Sequence, residues 1–126
     1  MKIISFGETT PALLARRKTV TRRKWKAEYA TRFHRGELCS AYDTAPFNHG
    51  KQVAVIRLTA PPILEETGPS LPVGDWEAEG FAYLAGKGFR VFKKDPKDVW
   101  ADWIDHPQKL WVVRFEVVEF NPLARA

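Results

Sequence analysis

Leu110-Trp111-Val112-Val113-Arg114-Phe115-Glu116-Val117-Val118-Glu119-Phe120 is the longest β-prone run in the chain. Side chains alternate along a strand, so Trp111, Val113, Phe115 and Val117 are predicted to share one face of a closing strand, turned toward the core. Upstream, residues 52–59 read as a central strand that Pro61-Pro62 stops. Residues 38–42 and 2–6 read as shorter strands. Residues 19–25 are β-prone but heavily charged, which suits a strand with one wet face. Thr10 is predicted to cap a short helix over residues 11–17, with Pro11 in its first turn, where a missing N–H costs nothing. Asp75 is predicted to cap a second helix reaching residue 85, before Gly86 and Gly88. Asp95-Pro96 opens a third, which His106-Pro107 ends. The order β-α-β-β-β-α-α-β lacks the regular alternation of a doubly wound sheet. The predicted fold is α+β, a small mixed β-barrel with short flanking helices.

The chain of 126 residues suits a single domain over residues 1–126, large enough to bury a core unaided. Cys39 is its one cysteine, so an internal disulfide framework is excluded. The apolar run at the N-terminus is short for a secretory signal, and no stretch has the length of a membrane span. A cytoplasmic location, with no obligate protein partner, is the expectation. The net charge of +5 is unevenly distributed: residues 1–36 carry ten cations against two carboxylates, and the remainder nets −3. Local positive charge of this kind suits phosphate-bearing partners, because each contact displaces condensed counterions.

Lys18, Thr21 and Arg23 are the first candidates for chemistry. A threonine hydroxyl becomes a nucleophile only when a neighbour takes its proton. A lysine does that only with a lowered pKa, and the surrounding cations favour the lowering. Strand alternation puts Thr21 and Arg23 on one face, while Lys18 sits at the helix-to-strand junction, where the chain can turn it inward. Glu79 is the next candidate, because helical spacing places it between Trp76 and Tyr83 on an apolar stripe. A carboxylate there needs a cation partner or a raised pKa, and Lys18 is an attractive partner. Trp25 and Tyr42 lie in less apolar surroundings and are candidate base-stackers. Trp100, Trp103 and Trp111 suit the core. Arg16, Arg17, Arg22, Arg23 and Lys24 are candidate phosphate contacts. Cys39 with His34 and His49 matches no usual zinc spacing, and Gly86-Lys87-Gly88 lacks the context of a phosphate loop, so no metal and no cofactor is expected.

At Lys18-Thr19-Val20-Thr21-Arg22-Arg23 the chain resembles the ASCH domain family of the PUA-like superfamily, whose early motif runs Gly-x-Lys-x-x-Thr-x-Arg after a short helix. Phe33-x-x-Gly36-Glu37-Leu38 is similar to the family's strand-opening element. Ala78-Glu79-Gly80-Phe81 is similar to its Glu-Gly-Phe helix, and Trp111-Val112-Val113-Arg114-Phe115-Glu116 to its closing strand. The resemblance implies a PUA-like barrel with a cleft between the motif strand and the Glu-Gly helix, and a link to RNA or a modified nucleoside. One bacterial branch removes the acetyl group from N4-acetylcytidine, and its catalytic lysine, threonine and glutamate carry over to Lys18, Thr21 and Glu79. Other members imply a non-catalytic RNA-binding module, or a metal-independent ribonuclease, here with Lys18, Tyr42 and the arginines. Two departures stand out: Arg16 replaces the motif's glycine, adding bulk and charge near the cleft, and Arg22 adds a second cation beside Arg23. Additional residues over 25–33 and 86–97 make this chain longer than the amidohydrolase branch.

Overall fold

The computed structural model describes residues 1–122. Its organising element is the closing strand, β6 (Lys109–Phe120). One side of β6 pairs antiparallel with β2 (Val20–Arg23), Val20 opposite Arg114 and Arg23 opposite Trp111. The other side pairs with β5 (Ile63–Glu66) along its first half and with β4 (Gln52–Leu58) along its second. β3 (Leu38–Tyr42) lies antiparallel to β4, and β1 (Lys2–Ser5) lies parallel to β3. The resulting order, β1-β3-β4-β6-β2, curls into a half-barrel. Its two end strands meet through a side chain rather than a ladder, because Arg23 Nη2 donates to the Ser5 carbonyl at 2.6 Å. The barrel therefore has a seam, and the seam is where the candidate site lies.

Two cores explain why β6 is apolar on both faces. Val113 and Phe115 point into the barrel with Ile4, Ile56, Leu58 and Phe33. Leu110 points the other way, into a second cluster formed with Ala12 of α1 (Thr10–Leu14), Phe81 and Leu84 of α4 (Phe81–Gly86), and Val99 and Trp103 of α5 (Pro96–Asp105). Trp111, expected inward, is half-exposed. Among the described residues no helix is long and apolar enough to cross a membrane.

The local readings that differ have identifiable causes. The helix expected over residues 75–85 is two helices, α3 (Asp75–Ala78) and α4, because Gly80 takes φ +84° and ends the first. Asp75 is not a cap, since its carboxylate is committed elsewhere; the N-cap position belongs to Gly74. Thr10 is not a cap either. A 3-10 turn, Gly7–Thr9, precedes it, and the Thr10 hydroxyl donates back to the Gly7 carbonyl at 2.7 Å. β5 forms just beyond Pro61-Pro62, and α2 (Ala27–Ala30) adds one turn between β2 and β3.

The first helix stops at Leu14, short of residue 17, in a paired terminal bond pattern. Arg17 N donates to Ala12 O at 2.8 Å and Arg16 N to Leu13 O at 3.0 Å. This pattern needs a left-handed residue, and Arg16 supplies it at φ +61°. The glycine of the resembling motif falls here, so backbone geometry is a sufficient reason for it. Arg16 is exposed, with its guanidinium 4.7 Å from the Phe120 ring, and it does not line the cavity described below. Arg16→Gly should remove left-handed strain but also the contact to Phe120. A net gain on the order of 0.5 kcal/mol is expected, read as a higher denaturation midpoint.

Candidate functional site

Thr19 N donates to the Ala78 carbonyl at 2.7 Å, pinning the start of β2 to the end of α3. That one backbone bond sets Lys18 against Glu79. Lys18 Nζ donates to the Glu79 carbonyl at 2.8 Å and to its Oε1 at 3.1 Å, with both residues 2% exposed. Gly80 makes the approach possible. A Cβ at this position would stand 2.5 Å from Ala12 Cβ and 3.3 Å from Lys18 Cβ, and the positive φ would strain any other residue.

The other oxygen of Glu79, Oε2, accepts from Arg22 Nη1 at 2.8 Å. Arg22 Nη2 donates to Asp75 Oδ2 at 2.6 Å, and Arg114 holds Asp75 with two bonds, at 2.9 and 3.1 Å. Lys18, Glu79, Arg22, Asp75 and Arg114 thus form one chain of alternating charge. Every buried side-chain nitrogen and oxygen among the described residues has a hydrogen-bond partner, as groups removed from water require. Thr21, on the opposite face of β2 from Arg22, has its hydroxyl oxygen accept from Arg23 Nε at 3.0 Å. Arg23 also lies over the Phe6 ring, 5.4 Å from its centroid.

A cavity of about 670 Å³ opens at the seam, and Lys18, Thr21, Glu79, Arg22, Arg23 and Lys24 all contribute to its wall. This volume falls within the range of small-molecule sites. The rings of Phe6, Phe81, Phe92 and Trp103 supply apolar wall, and Ser5, Thr44 and Gln108 supply neutral polar groups.

Burial pushes the Lys18 amine below the ordinary lysine pKa. Glu79 pulls it back by charge and hydrogen bonding, while Arg23 and Arg22 add to the lowering. A neutral amine has two hydrogens and a lone pair. The carbonyl and carboxylate of Glu79 match the two hydrogens, leaving the lone pair as a proton acceptor. Asp75 behaves differently. Burial pushes its carboxyl up, but the hydrogen bonds and charges of Arg114 and Arg22 outweigh that and hold it below the usual aspartate value. Asp75 therefore stabilises the fold above its unfolded pKa near 3.8, and this contribution is lost as pH falls through the lower folded value. The Tm should fall on acidification below about pH 4. In Asp75→Asn, less stable at neutral pH, that acid limb should flatten, so its Tm approaches the wild-type curve at low pH.

The structure separates the cationic segment into groups. Arg22 is turned inward and is 8% exposed, so it is a structural ion-pair partner rather than a surface cation. Arg23 and Lys24 line the cavity. Arg17 lies on the surface, 3.7 Å from Glu77. Trp25 stacks on Phe33 with centroids 4.7 Å apart and 12° between planes, and Tyr29 meets its ring edge-on. Tyr42 is half-buried on β3. Arg16, Arg17, Trp25 and Tyr42 do not line the cavity. The sequence reading missed Asp75 and Arg114 as members of the site. Arg114 did carry a signal, a lone cation between Val113 and Phe115 in an apolar strand.

No family model matches the chain, and no curated protein matches it. Among solved structures, protein EF3133 of Enterococcus faecalis V583, of the DUF984 family, superposes with a TM-score of 0.56 at 20% identity, covering 96% of this chain and 82% of that one. The two chains share one fold. The likeness extends over nearly the whole of this chain, and at this identity it speaks for architecture alone.

Proposed function

We propose that the protein is an amidohydrolase that removes the acyl group from an N4-acylated cytidine or a closely related modified nucleoside. The observation that carries the reading is the buried Lys18 amine, with its pKa lowered and its hydrogens directed at Glu79, in the wall of the same cavity as Thr21. The ASCH-like motifs supply the substrate class.

Neutral Lys18 accepts the Thr21 hydroxyl proton as the hydroxyl oxygen attacks the amide carbonyl. Arg23, already bonded to that oxygen, favours the charge developing on it. The tetrahedral intermediate collapses with cleavage of the C–N4 bond, and the Lys18 ammonium returns its proton to the departing amine, releasing cytidine. Water, deprotonated in turn by Lys18, hydrolyses the threonine ester to free acetate. Glu79 holds the amine in place throughout and offsets its charge in the protonated state.

Incubation with N4-acetylcytidine should release cytidine and acetate. Thr21→Ala should lower kcat by at least about 10²–10⁴-fold. Turnover that survives Thr21→Ala unchanged sinks the assignment of the nucleophile.

A second reading, RNA binding without turnover, draws on the exposed Lys24 and Lys94 at the cavity as phosphate contacts, although the exposed carboxylates Glu8 and Asp102 line it as well, so its mouth carries both signs of charge. Tight nucleoside or RNA binding with no cytidine release would select it. A ribonuclease built on Lys18 and Tyr42 has less support, because Tyr42 does not line the cavity that Lys18 does.

A further inference from the structure

Residues 91–94 form a two-residue hairpin turn at the cavity. Val91 N donates to Lys94 O at 2.8 Å and Lys94 N to Val91 O at 2.9 Å, with only Phe92 and Lys93 between them. Both central residues are left-handed, Phe92 at φ 51° and Lys93 at φ 62°. Such turns favour Asn-Gly or Gly-Gly, because a bulky side chain at positive φ crowds its own backbone. Phe92 nonetheless stays 65% exposed, so burial within the chain does not offset its strain.

The position of the turn supplies a reason. Val91, Phe92 and Lys94 line the same cavity as Lys18 and Thr21, and Glu8 lines it too. Lys93 N donates to Glu8 Oε2 at 3.3 Å, tethering the turn to the 3-10 segment that follows β1. The turn that carries the exposed ring is thus held at the cavity by two backbone bonds and a link to a second element. Strained, over-determined backbone of this kind concentrates at ligand clamps.

We infer that Phe92 is the ring-stacking residue of this cavity: its aromatic face covers a planar heterocycle bound there and so selects nucleosides over aliphatic amides. The inference rests on the proposed reading of the cavity as a nucleoside site and adds the group that sets its specificity. A base–aromatic contact is tolerant of base identity, so discrimination between bases falls to the polar wall.

The test compares wild type, Phe92→Gly and Phe92→Tyr by thermal denaturation and by calorimetric titration with cytidine and with N4-acetylcytidine. Phe92→Gly should raise Tm by about 2–5 °C, because glycine adopts positive φ freely. The same variant should bind both nucleosides about tenfold more weakly, whereas Phe92→Tyr should bind as wild type does. A variant that is more stable yet binds worse cannot be dismissed as misfolded. Unchanged affinity in Phe92→Gly overturns the stacking role, and a lowered Tm overturns the strain on which it rests. Wild type that binds cytidine without deacetylating N4-acetylcytidine leaves the stacking inference standing while removing the amidohydrolase. Wild type that binds neither nucleoside removes both.

Discussion

Glu79→Ala should destabilise the protein by about 3–5 kcal/mol, enough to remove much of the stability of a domain this size. Glu79 is the shared acceptor of two buried basic groups, the Lys18 amine through Oε1 and the Arg22 guanidinium through Oε2. Its removal leaves Lys18 with only the backbone carbonyl of residue 79 and Arg22 with Asp75 alone, in a region where their side-chain exposures are only 1% and 2%. The Coulombic gain of such a pair is modest once desolvation is counted, so the large effect comes from the charges left behind. At roughly 3–5 °C per kcal/mol, the Tm should drop by about 9–25 °C. Glu77→Ala, two residues away on an exposed surface pair, should change stability by less than about 0.5 kcal/mol. Chemical denaturation of the two variants side by side checks the contrast. Near-equal losses would mean that the buried network does not hold α3 to β2.

Lys18→Met should do the reverse, leaving the fold intact while abolishing the proposed hydrolysis. Methionine nearly matches the length of the lysine stem and needs no partner, and Arg22 still holds Glu79. Removing the amine relieves its desolvation cost but takes a donor from the Glu79 carbonyl and Oε1, so Tm should fall, by less than in Glu79→Ala. With no group left to take the Thr21 proton, kcat should fall by about 10²–10⁴-fold or more. The wild-type rate should rise with pH through the lowered Lys18 pKa, since only the neutral amine accepts a proton. A Lys18→Met protein that is well folded and still fully active would end the base assignment.

The parts of this molecule legible in its sequence are those written in local pattern. The alternation across residues 110–120 marks the strand on which the sheet is built, and Pro61-Pro62 marks the end of β4. The spacing of Lys18 and Thr21 and the Glu79-Gly80 pair pointed to one cavity because the resembling motifs keep them in register. Long-range pairings were not legible. Asp75 precedes a helix as a capping residue would, and nothing nearby shows that Arg22 and Arg114, 53 and 39 positions away, claim its carboxylate. In the sequence Gly80 fits a continuous helix, because Gly86 and Gly88 give stronger stop signals. The turn at residues 91–94 was invisible for a different reason. Phe-Lys is the wrong chemistry for its backbone, so tertiary tethering rather than propensity holds it there.

The most direct measurement of the proposed chemistry is a rapid-quench mass-spectrometric map of the protein mixed with N4-acetylcytidine. Wild type should carry a transient acetyl ester on Thr21 that forms as cytidine appears and decays as acetate is released. Thr21→Ala and Lys18→Met should carry none and release no cytidine above background. Cytidine release at the wild-type rate with Thr21 unmodified, or undiminished in Thr21→Ala, would contradict a threonine nucleophile activated by Lys18.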